Sequence, residues 1–201
     1  MNTSRRGFVH RSAAMLAAGA TFGSGLVPGT ARANTGTPAS IASQLPDARL
    51  AGEGDLRWFG LKVYTAQLWI GKPGLRLDRL AGVPFALDLR YATSLKGVLI
   101  ADRSVQEMER MGFGDPQRRG RWHDAMKRLF PDVAKGDRLT GVNEPGRGAR
   151  FFHNDRPLGG VDDPDFSAAF FAIWLDERTV APSLREALVK QASTDSAGAP
   201  K

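Results

Sequence analysis

The chain has 201 residues, a formal net charge of +7 and no cysteine. Without thiols it can form no disulfide bond and carries no cysteine nucleophile, and it lacks the commonest ligands of structural zinc. A chain of this length with 42% apolar residues is typical of one globular domain that is stabilised by packing.

The first 33 residues have the pattern of a cleavable export signal. Arg5 and Arg6 form a twin-arginine pair, residues 12–27 are weakly apolar, and a small-residue cleavage site ends at Ala33. The sequence therefore predicts export by the twin-arginine route, with the Tat machinery as a partner through Arg5 and Arg6. It also predicts cleavage after Ala33 and a periplasmic mature protein.

The apolar run at residues 12–27 is a poor membrane anchor. It is shorter than the roughly 20 apolar residues that cross a bilayer, and glycines interrupt it. Permanent anchoring is thus the weaker alternative, and no stable membrane span is expected after the signal is removed. Removal takes away four arginines and no acid, which lowers the net charge from +7 to +3. No nucleic-acid partner is predicted, because the arginine cluster at 118–121 has no nucleic-acid-binding motif around it.

A single domain is predicted over residues 34–192, followed by a flexible tail at 193–201. Between residues 55 and 70, β-branched and aromatic side chains predict one long strand, or two strands joined by a bulge or turn near Gly60. Residues 85–91 alternate apolar and polar side chains, which predicts a strand with one buried face.

Two helices are predicted in the middle of the chain. Ser104 and Glu107 have the spacing of a capping box, which predicts a short helix that begins there and stops at Gly112. An apolar stripe along residues 122–129 predicts the second helix.

Further strands are expected after these helices. Residues 139–143 and 149–153 flank a loop rich in glycine and proline, which favours a hairpin. Residues 157–161 are candidates for one more strand.

The C-terminal region predicts two helices. Asp163 and Pro164 form a helix start, and the apolar segment from Phe166 onward indicates a buried helix, with a buried strand as the rival interpretation. Ser183 and Glu186 have capping-box spacing and predict the second start. This order of strands, helices, strands and helices predicts an α+β fold rather than a doubly wound parallel sheet.

Five separated segments carry a family resemblance. They are residues 52–70, 108–112, 122–133, 151–153 and 171–185. The residues that carry the C-terminal signature are Phe171, Ile173-Trp174-Leu175, Thr179, Pro182 and Leu184-Arg185. Together these segments resemble the bacterial exported branch of the chalcone isomerase-like family. The resemblance implies an open-faced β-sandwich, an antiparallel sheet covered on one face by helices.

The resemblance also implies a ligand site. It places Arg57 where family members keep an arginine that faces the ligand cleft, and a guanidinium offers a planar fork of donors to an anion. The rival interpretation is a surface arginine paired with Asp55. The following strand resembles the one that supplies a ligand-facing hydroxyl, so Thr65 or Tyr64 is the candidate donor. Alternation along the strand leaves open which of the two faces inward.

The predicted function is binding of a fatty-acid-like or other amphiphilic acidic molecule between sheet and helices, without a cofactor. One alternative is an intramolecular lyase of the chalcone isomerase type that acts by electrostatic stabilisation, and another is a non-catalytic periplasmic partner-binding protein. Tyr64 and Tyr91 are the only tyrosines, so the helical region lacks the cleft tyrosine of the plant isomerases, which favours binding. No metal site is predicted, since His123 and His153 lie too far apart for a helical ligand pair.

Overall fold

Six antiparallel strands form one sheet in the computed structural model, which describes residues 36–192. The predictions for the export signal at 1–33 and the tail at 193–201 lie outside these residues. Each strand pairs with the next one along the chain, so the sheet is a meander. The strands are β1 (Arg49–Trp58), β2 (Leu61–Ile70), β3 (Phe85–Tyr91), β4 (Arg138–Glu144), β5 (Gly148–His153) and β6 (Arg156–Val161).

The helices in the described residues are α1 (Ala39–Gln44), α2 (Gly97–Arg110), α3 (Pro116–Leu129), α4 (Pro164–Leu175) and α5 (Pro182–Val189), with a 3-10 turn at Leu77–Gly82. Helices α2 to α5 cover one face of the sheet, as the family resemblance implies. The four later helices enclose the main core with strand residues such as Leu68 and Phe85. The short α1 packs near Trp69 on the opposite face. None of these helices has the length and apolar character needed to cross a bilayer.

The hairpin of β1 and β2 resolves the two alternatives left open for residues 55–70. Trp58 pairs with Leu61, and only two residues connect them. Both connecting residues have positive φ, 47° at Phe59 and 79° at Gly60. Positive φ at both positions is the geometry of a two-residue hairpin turn. The break near Gly60 is therefore a turn.

Helix α4 is the buried helix predicted from the C-terminal apolar segment. Asp163 accepts hydrogen bonds from the backbone N–H groups of Asp165 at 3.0 Å and Phe166 at 3.4 Å, and Pro164 occupies the first turn. The rings of Phe166 and Phe170 stack with centroids 5.6 Å apart. The strand interpretation of this segment is wrong.

Four more predicted elements are confirmed. Helix α3 buries Trp122 and Met126, two members of the predicted stripe. Strands β4 and β5 pair as a hairpin, and β6 pairs with β5. The strands and helices thus follow the order that predicts an α+β fold.

Helix α2 begins seven residues before its predicted start. Asp132, from a distant segment, accepts hydrogen bonds from the backbone N–H of Gly97 at 3.0 Å and from Lys96 Nζ at 2.7 Å. Ser104 lies inside the helix and donates its hydroxyl proton to the carbonyl of Ile100. The predicted capping box is wrong, because a residue 35 positions away caps the helix.

Helix α5 begins at Pro182, one residue before the predicted cap Ser183, and the predicted capping box is wrong. No side chain caps its first turn, so Ser183 and Glu186 do not form the box. Leu184 and Leu188 are buried against the core. Packing of this apolar face, rather than local capping, therefore stabilises α5.

Strand β3 is buried on both faces, so the prediction of one buried face is wrong. Ala86 belongs to the same buried cluster as Ile41 of α1. Asp88 is buried, and its carboxylate accepts a hydrogen bond from Thr140 and pairs with Arg138 at 3.1 Å. A carboxylate can be buried when it has such partners. The sequence pattern does not reveal these partners, so it predicts that Asp88 faces solvent.

We expect Gly97→Ala to destabilise the protein. A Cβ at this position would lie 2.1 Å from the carbonyl oxygen of Phe130, a backbone atom that cannot rotate away. The overpacking should lower the free energy of unfolding by about 1–3 kcal/mol, measured by urea denaturation. Gly120→Ala is the matched control, since Gly120 lies on α3 with open space around it, and it should stabilise by about 1 kcal/mol. Equal stability of wild type and Gly97→Ala would contradict the packing.

The tyrosines predict how stability depends on alkaline pH. Burial raises the pKa of Tyr64 to about 12 and raises that of Tyr91 further. An unfolded tyrosine titrates near pH ~10, so the folded state holds these protons more tightly. The contribution of these two tyrosines to the free energy of unfolding is therefore fully present below pH ~10, and it is lost as the pH rises through about 12.

We expect phenolate absorbance to appear only when the circular dichroism of the fold is lost. The control is the same protein in guanidinium chloride, in which both tyrosines should ionise near pH ~10. Phenolate that forms at that pH in the intact fold would mean that the hydroxyls are accessible to water.

Candidate functional site

A cavity of about 710 Å³ lies between the sheet and the helices. Leu89 and Leu139 line it from the sheet, Ile100 from α2, and Phe170 and Trp174 from α4. Its walls are predominantly apolar, and their charged side chains form two acid–arginine pairs, Asp55–Arg57 and Glu107–Arg103. A space of this kind suits the apolar body of a small molecule.

Glycines in β1 determine where α5 packs and so where the cavity begins. A Cβ at Gly52 would lie 2.1 Å from the carbonyl oxygen of Ala187, and one at Gly54 would lie 2.8 Å from the side chain of Leu184. The helix can approach this closely because the strand has no side chains there. Beyond the glycines, residues 55–58 of β1 line the cavity.

Tyr64 is the polar group that β2 contributes to the cavity. It is buried, and its Oη accepts a hydrogen bond from Trp174 Nε1 at 2.9 Å. Burial is the main cause of its raised pKa, which outweighs the effects of that hydrogen bond and of the charge on Arg103. Tyr64 is therefore neutral at ordinary pH. A hydroxyl that accepts one hydrogen bond can still donate its own proton.

Arg57 lies at the mouth of the cavity. It contributes to the lining, but its side chain is 60% exposed and its Nη2 lies 3.6 Å from Asp55 Oδ2. Its Nη1 also donates a hydrogen bond to the carbonyl of Gly60 at 3.3 Å. Asp55 has a second cationic partner, because Lys62 Nζ lies 2.7 Å from its Oδ1. That hydrogen bond is the largest cause of the lowered pKa of Asp55.

The two candidate hydroxyls on β2 have different surroundings. Tyr64 lines the cavity, whereas Thr65 is not among the residues that do. The Thr65 hydroxyl donates to Asp55 Oδ1 at 2.9 Å. The structure thus brings Thr65 and Arg57 together through a shared carboxylate, and it brings Tyr64 into the cavity.

Sequence reasoning missed a cationic group on α2. Arg103 and Glu107 both line the cavity and form an ion pair. Glu107 is buried, and Arg110 Nε lies 2.8 Å from its other carboxylate oxygen. One carboxylate on α2 is thus shared by two guanidiniums. The signal was present in the (i, i+4) and (i, i+3) spacings, but the predicted helix began after Arg103.

The cavity offers binding groups rather than an activated nucleophile. The hydroxyls of Ser104 and Thr179 donate to the backbone carbonyls of Ile100 and Ile173, and His123 and His153 are not lining residues. Within residues 36–192, no three acidic or histidine side chains come together to form a metal site. The arrangement can hold an apolar body and, at its mouth, neutralise a negative charge.

Comparisons with known proteins agree with this fold. The sequence model described as chalcone isomerase-like matches residues 33–189. A crystal structure of a fatty-acid binding protein from Arabidopsis thaliana has a similar fold, with a TM-score of 0.58 and 13% sequence identity, over 74% of this chain and 89% of that one. A comparison with curated proteins gave no match. Because the family match spans most of the chain, including the strands and helices that enclose the cavity, this protein belongs to the chalcone isomerase-like family.

Proposed function

We propose that this protein binds a fatty-acid-like or other amphiphilic acidic small molecule in the cavity between sheet and helices. The observation that carries the proposal is the predominantly apolar cavity of about 710 Å³ with guanidinium groups at its mouth. This volume is within the usual range for small-molecule sites, roughly 300–1,000 Å³. The fold that the protein shares with the Arabidopsis thaliana fatty-acid binding protein supports the proposal.

The apolar body of the ligand lies against the aromatic and aliphatic lining. Each methylene that leaves water contributes about 0.8 kcal/mol, so affinity increases with chain length until the cavity is full. Tyr64 and Trp174 limit the length that fits, because their side chains lie in the interior and are held together by a hydrogen bond. Tyr64 has one proton left to donate, which an amphiphile with a second polar atom in its body would accept.

The anionic head of the ligand lies at the mouth, where Arg57 neutralises it. Arg103 supplies a second guanidinium from α2. Thr65 acts indirectly, because it holds the Asp55 carboxylate that positions Arg57. Both arginines are more than half exposed, so the head group keeps much of its hydration and the binding energy from each arginine is modest.

We also propose that the protein is exported by the twin-arginine route and cleaved after Ala33, so that ligand binding takes place in the periplasm. The family match supports this boundary, because it begins at residue 33, where the predicted signal ends. The twin-arginine pair Arg5-Arg6 and the small-residue site at Ala33 are the features that support export itself.

Arg57→Ala should weaken the binding of decanoic acid about two- to fivefold, since an ion pair with an exposed arginine is worth roughly 0.5–1 kcal/mol. Binding of methyl decanoate, which has no charge, should not change. Isothermal titration calorimetry measures both affinities.

Arg76→Ala is the matched control for this experiment. Arg76 is also exposed and also pairs with an aspartate two positions away, Asp78 at 3.1 Å, but it does not line the cavity. Decanoic acid should bind this variant with the affinity of the wild type. If Arg57→Ala and Arg76→Ala bind decanoic acid equally, Arg57 does not bind the head group. If the wild type binds neither ligand, the proposed function is wrong.

Replacing Arg5 and Arg6 by lysine should block export. The twin-arginine pair is the recognition element of this route, so the protein should stay in the cytoplasm and keep residues 1–33. Cell fractionation and mass spectrometry of the N-terminus measure the result, and the exported wild type should begin at Asn34. Arg11→Lys is the control and should be exported normally. Export of the double variant, or an N-terminus other than Asn34, would contradict the corresponding part of the proposal.

A further inference from the structure

Exposed apolar side chains gather around the mouth of the cavity. Seven large apolar residues are exposed in the part of the chain that the structure describes, and Leu77 alone lies away from the mouth. The other six are Trp58, Phe59, Leu61, Val98, Leu99 and Val180. Three of these line the cavity itself, and the others are their neighbours in the hairpin turn and at the start of α2. We call these six residues the apolar rim.

The most exposed part of the apolar rim is the tip of the β1–β2 hairpin. Phe59 is 92% exposed and Leu61 is 75% exposed. The rings of Trp58 and Phe59 contact each other edge to face with centroids 5.2 Å apart. This tip places two aromatic rings and a leucine in water, where they contribute nothing to the core. Contiguous exposed apolar groups of this kind mark interaction surfaces.

The turn residue at the tip is unfavourable for the hairpin itself. Phe59 has a φ of 47° and precedes Gly60 in a two-residue turn. Asparagine is preferred at this position because it tolerates positive φ, whereas a bulky side chain does not. A phenylalanine here costs folding stability and packs only against the exposed Trp58 ring, not in the core, which is consistent with a role outside the folded protein.

Positive charges flank the apolar rim. Arg57 and Lys62 lie on either side of the hairpin tip and share one carboxylate, that of Asp55. On α2, Arg103 and Arg110 share Glu107. At the hairpin tip there is therefore one more cation than anions. Aromatic rings and leucine beside exposed cations are the combination that binds at the interface of an anionic bilayer.

We propose that the apolar rim docks this protein on a lipid surface that carries anionic head groups. The side chains of Trp58, Phe59 and Leu61 insert at the level of the head groups, and the cavity mouth then faces the bilayer. The consequence for the ligand rests on the proposed function. An amphiphilic ligand then enters the cavity from the membrane without crossing water. A two-residue tip suits shallow insertion, since interfacial anchors penetrate about 5–10 Å.

Trp58 makes the docking measurable in the full chain. It is the exposed tryptophan, at 59%, whereas the other three in the chain are buried. Vesicles of phosphatidylcholine and phosphatidylglycerol that contain brominated acyl chains should quench its fluorescence and shift its emission to the blue. Titration with these vesicles gives the partition coefficient, and vesicles of phosphatidylcholine alone should bind more weakly.

The test variant is Phe59→Asn combined with Leu61→Thr. Asparagine suits the positive φ and threonine suits a strand, so the hairpin keeps its structure and Trp58 stays as the reporter. The partition coefficient should fall at least tenfold, because two apolar side chains no longer leave water. The control is Leu77→Thr, which removes an exposed leucine away from the mouth and should partition like the wild type.

The outcomes separate this inference from the proposed function. Equal quenching of Trp58 in the wild type and the double variant would overturn the docking, and so would the absence of quenching. A third outcome would overturn it too. In that outcome the wild type forms a dimer and does not bind vesicles, and the double variant is monomeric, so the apolar rim joins two copies of the chain. Decanoic acid binding without vesicles reports on the proposed function alone and should be the same in the double variant.

Discussion

The close approach of α5 to β1 is the constraint on which the cavity depends. Gly52 and Gly54 let the helix backbone lie directly on the strand. The helix begins at Pro182, whereas β1 continues past the glycines to Trp58. The cavity lies where the strand extends beyond the helix, and α2 and α4 line its other side. Any side chain at Gly52 would move α5 and so change the size of the space.

The cationic groups of the cavity stay in contact with water, and its buried carboxylate, that of Glu107, is paired. Arg57 and Arg103 are at the mouth and more than half exposed, while the interior has the neutral hydroxyl of Tyr64. Burying an unpaired ion costs several kcal/mol, and this arrangement avoids that cost for both protein and ligand. A ligand with its charge at one end fits this distribution. A ligand that is charged at its middle would have to bury the charge among Leu89, Phe170 and Trp174.

Local sequence patterns predicted the elements whose stabilising contacts are close in sequence. The α4 start depends on Asp163 and the residues just after it, and the hairpin turn depends on Gly60. Helix α2 is different, because Asp132 caps it from 35 residues away, and its start could not be found from its own residues. Because the predicted helix began at Ser104, Arg103 was not recognised as a residue of α2. The burial of Asp88 likewise depends on Arg138 and Thr140, which are remote in sequence.

The site was predicted in part, and the remainder depends on strand register. Alternation places Tyr64 and Thr65 on opposite faces but does not say which faces the helices. Pairing with β3 decides it, because Tyr64 pairs with Tyr91 and both are buried in the core under the helices, whereas Thr65 pairs with Arg90. A separate register shift in β1, between Leu56 and Arg57, alters the usual alternation locally. It leaves Arg57 beside Asp55 at the mouth of the cavity. The Arg57 side chain forms an ion pair on an edge strand and also lines the mouth. Charged side chains on an edge strand also hinder pairing with other chains, so Arg57 has a structural use that does not depend on a ligand.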